Sequence, residues 1–523
     1  MGAAEKSIVD PELVPGEVNR LRRTFRSDKT LSKEWRVGQL NTMLRMMEEG
    51  RTELQQAMYK DLHKSPHECD ITEIDFTITE ISHALRHIDE WMKPHREAIS
   101  PLNMPGSGAV VYEPLGVSLI MGAWNYPVLL TFAPLVGSIA AGCCAVVKPG
   151  SYAPETSHVI AKLLTRYMDL DALVVCEGNR DVTNALLAQR FDMIFFTGSG
   201  FVGKLVAKAA AEHLTPVVLE LGGKSPLIVD KTADLDLAAS RLVWGTFLNS
   251  GQTCIRPDFG LIEASVADKF IELCRKKIVE YYSEDVQKSE FFGRVINKDA
   301  FERLRRIIES SKDRIVIGGK TDSADKFVEP TILDYGTDSK AFDESPAMAD
   351  EIFGPIFPML RFQDFEKDVI ERIRDLKTGK PLALYCFTED SRVAETVTHR
   401  TYSGGLCIND TLMHIANADL PFGGVGSSGM GSYHGFRSFK AFSHEKAVLT
   451  KYSFLDQNPL LKGALAARYP PYTPARKFLG KVVTNPMLAS FQETLDSPGF
   501  QRLLLLLLLI FVGRSFGFRV TRD

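Results

Sequence analysis

The spacing of apolar residues changes about one hundred residues into the chain. Up to about Arg96, apolar residues recur every three or four positions, as in VNRLRRTF and EWRVGQLNTMLRMMEEG, which is typical of amphipathic helices. From Ala109 onward, short apolar runs alternate with helical patterns, as in VVYEPLGVSLIMGAW, MIFFTGSG and PVVLELGG. Buried strands that alternate with helices of about 10 to 15 residues predict βαβ units and a mostly parallel sheet.

The alternating pattern restarts after Leu227. A helix-like run, ADLDLAASRLVWGTFLNSG, is followed by the strand-like run FGLIEA and by a further helix. We therefore predict a second α/β domain and an α/β fold class. At roughly 150 residues per domain, a chain of 523 residues is expected to hold two to four domains.

Composition excludes several classes of function. The 62 Lys and Arg nearly balance the 66 Asp and Glu, which leaves a formal charge of -4 and no basic footprint for nucleic acid. The last segment differs, because 457–523 holds nine Lys or Arg and three Asp or Glu. Eight cysteines without a C-x-x-C pair indicate a reducing compartment, and the histidines lack metal-ligand spacing. The N-terminus MGAAEKSIVD lacks the apolar run of a secretory signal, so none is expected.

A glycine-rich turn follows the predicted strand at Met193–Phe196. In FFTGSGFVGK, Gly198, Ser199, Gly200 and Gly203 match G-x-G-x-x-G, in which backbone amides at a helix N-terminus can approach a pyrophosphate. A simple strand-to-helix turn has the same pattern. An acidic residue some 20 positions later would support dinucleotide binding, and Glu220 stands 17 positions after Gly203.

Glu220 has a second interpretation. It ends the strand PVVLE, and Cys254 follows 34 residues later in NSGQTC. A strand-end carboxylate and a cysteine with a glycine-rich approach together suggest a thiol nucleophile with a separate base. Most cysteines are simply small buried side chains. Asn125, in GAWNYP after the strand VSLIMG, could donate its amide to a developing oxyanion or could be a turn residue.

Seven motifs in order closely resemble the aldehyde dehydrogenase superfamily: GAWNYP, VVKPG, FFTGSxxxG, LELGGKSP, GQTC, EIFGP and PFGGVGSSGMGSYHG. The last motif is similar to the class 3 branch, which holds fatty aldehyde dehydrogenases and fungal apocarotenal dehydrogenases. The resemblance spans about Arg20 to Lys446. It implies a Rossmann-like cofactor domain, an α/β catalytic domain and a small bridging element used for dimerisation.

The resemblance also implies roles for the residues singled out above. Cys254 would attack the aldehyde to give a thiohemiacetal and then a thioester, while Asn125 and the Cys254 backbone amide would stabilise the oxyanion. Glu220 would activate the hydrolytic water. Some relatives pass the acyl group to coenzyme A, and a non-catalytic membrane scaffold is a further alternative. His434, in GSYHG, is expected to be a packed, hydrogen-bonded residue.

NAD or NADP is the cofactor that the resemblance implies. The matching residues are Lys148 for the adenine ribose, Gly198, Ser199 and Gly203 beneath the pyrophosphate, and Glu351 and Phe353 at the nicotinamide ribose. Ser151 departs from the pattern, because many relatives have Glu three positions after that lysine. A neutral Ser removes a like charge that would repel the phosphate of NADP. No metal is expected.

Five segments are expected along the chain. They are the N-terminal helices and NAD(P)-binding domain at 1–221 with a bridging hairpin near 105–119, the catalytic domain at 222–415, a return and bridging segment at 416–450, a basic extended arm at 451–500 and a hydrophobic membrane-anchoring segment at 501–520. Bridging strand residues are expected near Phe439 to Val448.

The hydrophobic segment bears on location and substrate. Leu503 to Gly513 are eleven apolar residues between two arginines, or roughly 16 Å of helix against a bilayer core of about 30 Å. We expect attachment to the cytosolic face of the endoplasmic reticulum or another intracellular membrane, although a buried partner helix has the same pattern. Long-chain aldehydes suit such an enzyme, and β-apo-4′-carotenal is an alternative substrate. A homodimer is expected.

Overall fold

The computed structural model describes residues 10–100, 103, 106–452 and 468–483. They divide into two units, which are Met1–Trp91 with Pro114–Ser443 and Met92–Glu113 with His444–Asp523, each as far as it is described. The helices of the larger unit are α1 Val14–Arg26, α2 Lys33–Leu62, α3 Pro66–Cys69, α4 Asp75–Trp91, α5 Leu129–Ala141, α6 Pro154–Tyr167, α7 Arg180–Leu187, α8 Gly200–Ala211, α9 Leu235–Phe247, α10 Ala267–Tyr282, α11 Lys298–Ser310, α12 Ser339–Glu344, α13 Arg372–Arg374, α14 Ser391–Arg400 and α15 Phe436–Ala441.

The helical N-terminal region agrees with the predicted periodicity. The longest helix there, α2, begins where the Ser32 hydroxyl accepts the Trp35 amide at 3.1 Å, and it ends at His63 in the left-handed conformation. A π-helical turn over Asp70–Ile74 lies between α3 and α4.

One sheet of the larger unit has six strands in the order β17-β7-β6-β3-β4-β5. The strands are β3 Val117–Met121, β4 Cys144–Lys148, β5 Leu173–Val175, β6 Met193–Thr197, β7 Val217–Glu220 and β17 Gly429–Met430. All neighbours are parallel except β17, which runs antiparallel to β7. The central strands are buried along their whole length, which explains their continuous apolar sequence.

The second sheet has seven strands in the order β10-β13-β14-β9-β8-β15-β16. The strands are β8 Pro226–Val229, β9 Phe259–Glu263, β10 Ile315–Ile317, β13 Thr331–Asp334, β14 Ile356–Phe362, β15 Ala383–Phe387 and β16 Gly405–Ile408. It is parallel except at β10, and its core includes Ile228, Phe259, Leu261 and Leu384. A short hairpin pairs β11 Thr321–Asp322 with β12 Phe327–Val328. The α/β fold is therefore as predicted.

The smaller unit holds a three-stranded sheet in the order β1-β2-β18. Its strands are β1 His95–Glu97, β2 Gly106–Pro114 and β18 Ser443–Lys451. The hairpin expected near 105–119 thus ends earlier, because Gly116 has φ +139° and Val117 begins the buried strand β3. Phe439 was also expected in a strand, but it is buried in helix α15.

The described residues of the arm at 451–500, which is expected to be extended, include a helix. Residues Pro474–Val483 form a helix, α16, because Pro474 suits a first helical position and Ala, Arg, Lys and Leu are good helix formers. The hydrophobic segment at 501–520 lies outside the described residues. Within the described residues, no helix is both long enough and apolar enough to cross a bilayer.

Candidate active site

The candidate site lies at the carboxyl ends of four neighbouring strands. Lys148 is the last residue of β4, and Asn125 follows β3 by a short loop. Thr197 and Glu220 end β6 and β7 and are register partners in the parallel ladder. The carboxyl edge of an open parallel sheet is where such folds bind ligands. Parallel pairing therefore brings together residues that lie far apart in sequence.

Cys254 reaches this edge through a tight loop after α9. Asn249, Ser250 and Gly251 have φ angles of 52°, 51° and 71°, so three successive residues adopt the left-handed conformation. That conformation is strained for residues other than glycine. A Cβ atom at Gly251 would overlap the backbone carbonyl of Gly354. The loop thus requires a glycine three residues before the cysteine.

Asn125 is fixed against this loop. Its side-chain Nδ2 donates to the Gln252 carbonyl oxygen at 3.0 Å, and its own carbonyl accepts the Asn249 Nδ2 at 2.7 Å. Asn125 is buried, with 4% of its surface exposed. The amide therefore lies beside the cysteine loop, as an oxyanion donor must.

Glu220 is a buried carboxyl group without a hydrogen-bond partner among the described residues. Neither of its oxygens is paired, and 3% of its surface is exposed. Burial raises the pKa of Glu220 well above its usual value, because an apolar site disfavours the charged form. A carboxyl group with a raised pKa is a stronger base once it has lost its proton.

The Cys254 thiol is half-buried. Burial raises its pKa above the usual range, and the carboxyl groups of Glu351 and Glu220 add to this effect. The resting protein consequently favours the neutral thiol. Removal of its proton must therefore be coupled to a base or to a positive charge brought into the site.

Two cavities meet at this point. One, of about 260 Å³, is lined mainly by apolar side chains. They include Ile71, Phe76, Leu129, Leu130, Trp244, Leu248, Leu412, Met413, Ile415 and Phe422. The other, of about 360 Å³, lies along the strand ends, and both include Thr197, Glu220 and Cys254 in their walls. An apolar molecule in the first cavity can thus touch Cys254 together with a ligand in the second.

The second cavity fits a nicotinamide dinucleotide. Lys148 lines it and is nearly buried, and burial lowers the pKa of this ammonium. Gly198 and Ser199 open helix α8, whose N-terminus favours anionic groups. Glu351 also lines this cavity, and one of its buried oxygens has no hydrogen-bond partner in the described chain. Burial, with a smaller contribution from Asp258, raises the pKa of Glu351 to about 8.

The remaining predicted residues occupy different surroundings. The Phe353 ring contacts the Trp124 ring, with centroids 5.4 Å apart, and Ser151 is exposed in the cavity wall. Gly203 does not line the cavity. A Cβ there would lie 2.6 Å from Leu221, so this glycine allows α8 to pack closely on the chain after β7.

Sequence reasoning missed several residues at the site. Thr197 lines both cavities with a buried hydroxyl that has no hydrogen-bond partner in the described part of the chain, and Tyr433 lines the apolar one. Lys64 contacts the Asn125 carbonyl from helices far upstream, where no motif indicated it. His434 is buried and its Nδ1 lies 3.1 Å from Glu80, in agreement with a packed residue.

Comparisons with known proteins identify the family of this chain. Residues 9–448 match the model of the aldehyde dehydrogenase family. The chain is 41% identical to human aldehyde dehydrogenase family 3 member B1, over 88% of this chain and 95% of that protein. It is 40% identical to the dog protein named "Aldehyde dehydrogenase, dimeric NADP-preferring", over 87% of this chain and 97% of that protein. The substrate-bound Staphylococcus aureus AldH structure superposes on this chain with a TM-score of 0.84 at 37% sequence identity. The superposition covers 90% of this chain and 99% of that one. This chain therefore belongs to the aldehyde dehydrogenase family, on its class 3 branch, and is an NAD(P)-dependent oxidoreductase.

Proposed function

We propose that this enzyme oxidises a long-chain or otherwise apolar aldehyde to the carboxylic acid. The observation that carries the proposal is the apolar cavity of about 260 Å³ that ends at Cys254, where the cofactor cavity also ends. Aromatic and aliphatic walls favour an alkyl or polyene chain, because burial of apolar surface contributes about 25 cal/mol per Å².

Cys254 is the proposed nucleophile. Its thiol releases its proton to solvent as the sulfur forms a bond to the aldehyde carbon. The carbonyl double bond opens, and its oxygen becomes an oxyanion held by the Asn125 amide and the Cys254 backbone amide. Bound NAD or NADP supplies the acceptor for the hydride that leaves this carbon, and a thioester remains on Cys254. Glu220 then removes a proton from water, the water oxygen bonds to the acyl carbon, and the carbon–sulfur bond breaks.

The proposed cofactor contacts are Lys148, Gly198, Ser199, Glu351 and Phe353. They line or border one cavity, and they offer an ammonium, a helix N-terminus and a carboxyl group where ribose and phosphate groups need them. Ser151 leaves space and no negative charge for a 2′-phosphate. We propose that the enzyme accepts both NAD and NADP, and one relative is named for a preference for NADP.

A panel of aldehydes tests the substrate class. Saturated aldehydes of increasing chain length, an aromatic aldehyde and β-apo-4′-carotenal are assayed with both cofactors, and kcat/KM is expected to rise with apolar chain length. Highest activity on short polar aldehydes would contradict the proposal. Apocarotenal remains the second candidate, because its polyene chain suits the same walls. Product analysis with added coenzyme A separates hydrolysis from thioester formation.

We further propose that the enzyme is a homodimer attached to an intracellular membrane. Strand β18 is an outer strand of its sheet in the described chain, and outer strands can pair with another chain. The dog relative is named dimeric. The apolar run of 503–513 and the basic residues around it support attachment to an anionic bilayer surface. Analytical ultracentrifugation in detergent measures the dimer.

A further inference from the structure

An ion pair is buried beside the candidate site. Lys64, between α2 and α3, donates to the Glu73 carboxylate at 2.6 Å, and both side chains are fully buried. Two charges withdrawn from water carry a large desolvation penalty, which only good geometry and further hydrogen bonds offset. The other contacts of this pair show where those further hydrogen bonds lie.

Lys64 contacts two successive residues of the candidate site. Its ammonium donates to the Asn125 carbonyl oxygen at 3.2 Å and lies 4.1 Å from the centre of the Tyr126 ring. A cation over an aromatic face is attracted by the ring quadrupole. One buried ammonium thus fixes both the backbone that carries the Asn125 amide and the neighbouring ring.

Glu73 holds the next residues of the same segment. Its second carboxylate oxygen accepts the backbone amides of Val128 at 2.8 Å and Leu129 at 3.3 Å, where helix α5 begins. Those amides would otherwise be unpaired at a buried helix N-terminus. The π-helical turn directs Glu73 inward, while Ile71 and Thr72 of the same turn line the apolar cavity.

The segment held by this pair contacts the loop of Cys254. The Asn125 amide donates to the Gln252 carbonyl, and the Tyr126 hydroxyl lies 2.7 Å from the Thr253 hydroxyl. Both contacts end on the two residues that precede Cys254. A displacement of the Asn125–Tyr126 backbone would therefore move the amide relative to the thiol.

We propose that Lys64 and Glu73 are positioning residues for the oxyanion site. Together they clamp residues 125–129 in the one arrangement that aims the Asn125 amide beside Cys254. This inference rests on the proposed function, which assigns Asn125 as the oxyanion donor. Neither residue touches the substrate, so they act on the acylation step through Asn125.

The test uses the full-length double variant Lys64→Met, Glu73→Gln, which removes both charges of the pair together. We measure its melting temperature, its affinity for NAD, the rate of the first turnover with a saturating aldehyde, and acylation by an activated aryl ester. The ester reaction needs the thiol and the oxyanion site but no hydride transfer. The rates of acylation by the aldehyde and by the ester are both expected to fall by about 10- to 100-fold. This loss is smaller than the ~10²–10³-fold loss of rate that follows removal of a whole oxyanion donor. NAD affinity should change less than about threefold.

Asn125→Ala, in the wild-type chain and in the double variant, separates this inference from the proposed function. Asn125→Ala should slow acylation in the wild-type chain and add little in the double variant, because the donor there is already misplaced. If Asn125→Ala leaves acylation unchanged, the assignment of Asn125 fails and this inference fails with it. If the Asn125→Ala enzyme acylates slowly while the double variant acylates at the wild-type rate, only the positioning role of Lys64 and Glu73 is overturned.

Two further variants test whether the loss of acylation rate comes only from lower stability. Arg361→Met breaks an ion pair with Asp334 at 2.6 Å whose members line neither cavity, so it should lower the melting temperature without slowing acylation. If the double variant does not fold, Lys64→Gln keeps a donor without the charge and should show a smaller loss of the same kind. Wild-type acylation by Lys64→Gln would then overturn the inference.

Discussion

At the scale of single residues, burial decides whether each proposed catalytic group carries its proton. The Glu220 carboxyl and the Cys254 thiol both have raised pKa values because protein surrounds them, and the negative charges of Glu351 and Glu220 raise the pKa of Cys254 further. The resting site therefore favours a neutral thiol beside a neutral carboxyl group. Each group must therefore lose its proton before it can act, Cys254 as the proposed nucleophile and Glu220 as the proposed base for water.

Cys254→Ser is expected to lower turnover by about a thousandfold or more, because a serine hydroxyl is far less ionised than a thiol near neutral pH. Cofactor binding should persist, since the other walls of that cavity are unchanged. Cys407→Ser is the matched control, because Cys407 is also partly exposed and lines neither cavity. Turnover and NAD affinity of both purified variants are measured, and an active Cys254→Ser enzyme would refute the nucleophile assignment.

Glu220→Gln distinguishes two interpretations of this carboxyl group. Without a base for water, the thioester should accumulate after one turnover, so rapid mixing should show a burst of NADH followed by a slow steady state. Mass spectrometry of the quenched enzyme should find the acyl group on Cys254. A weaker cofactor affinity without any burst would instead identify Glu220 as a ribose ligand.

Ser151 sets the expected cofactor preference. With no carboxylate at this position, kcat/KM with NADP should lie within about tenfold of the value with NAD, since one like-charge contact is worth about 1 to 2 kcal/mol. Ser151→Glu should shift the ratio toward NAD by about tenfold or more. If the wild-type enzyme prefers NAD more than a thousandfold, another residue excludes the phosphate.

At the scale of elements, the loop after α9 is the segment whose conformation matters most. Its three left-handed residues turn the chain so that Cys254 lies at the carboxyl edge of the six-stranded sheet. Asn249 compensates for part of the strain by donating to the Asn125 carbonyl. A loop held in this way should tolerate little change at Gly251.

Gly251→Ala tests the loop against a control of similar backbone conformation. Gly251 has φ +71° and meets the Gly354 backbone, whereas Gly336 has φ +58° and open space around it. Gly336→Ala should cost about 1 kcal/mol of stability and leave turnover unchanged. Gly251→Ala should cost more stability and slow the first turnover by tenfold or more. Melting temperatures and first-turnover rates measure both effects, and equal behaviour of the two variants would contradict the proposed role of the loop.

At the scale of the whole molecule, both cavities lie in the larger unit. Their walls come from 71–76, from the six-stranded sheet and the segments that follow its strands, from 244–255, from 351–353 and from 412–433, so the site draws on segments spread along most of that unit. All of these wall residues precede the C-terminal hydrophobic segment in the sequence. The catalytic unit and the membrane segment should therefore be separable.

Deletion of Pro498 to Asp523 is expected to release a soluble enzyme. Turnover of a short, water-soluble aldehyde should change less than about twofold, whereas oxidation of a long-chain aldehyde dissolved in vesicles should fall through lost co-localisation. Fractionation and paired assays measure both effects. A truncated protein that stays in the membrane pellet, or that loses activity on the short aldehyde, would show that the tail belongs to the folded enzyme.

The sequence alone determined the elements and the chemistry they carry. Apolar periodicity indicated the N-terminal helices and the two α/β regions, because side-chain spacing reports directly on local geometry. The ordered motifs indicated Cys254, Glu220, Asn125 and the family. Local spacing predicted less well where an element stops, as at the end of β2 and in helix α16.

Tertiary structure alone decided which residues meet. Thr197 and Glu220 become neighbours only through parallel pairing of β6 with β7, and Gly203 turns toward Leu221 only because α8 packs there. Lys64 and Asn125 are 61 positions apart and share no motif, yet one ammonium joins them. Such contacts depend on how distant elements pack, and no periodicity within a single element reports on that.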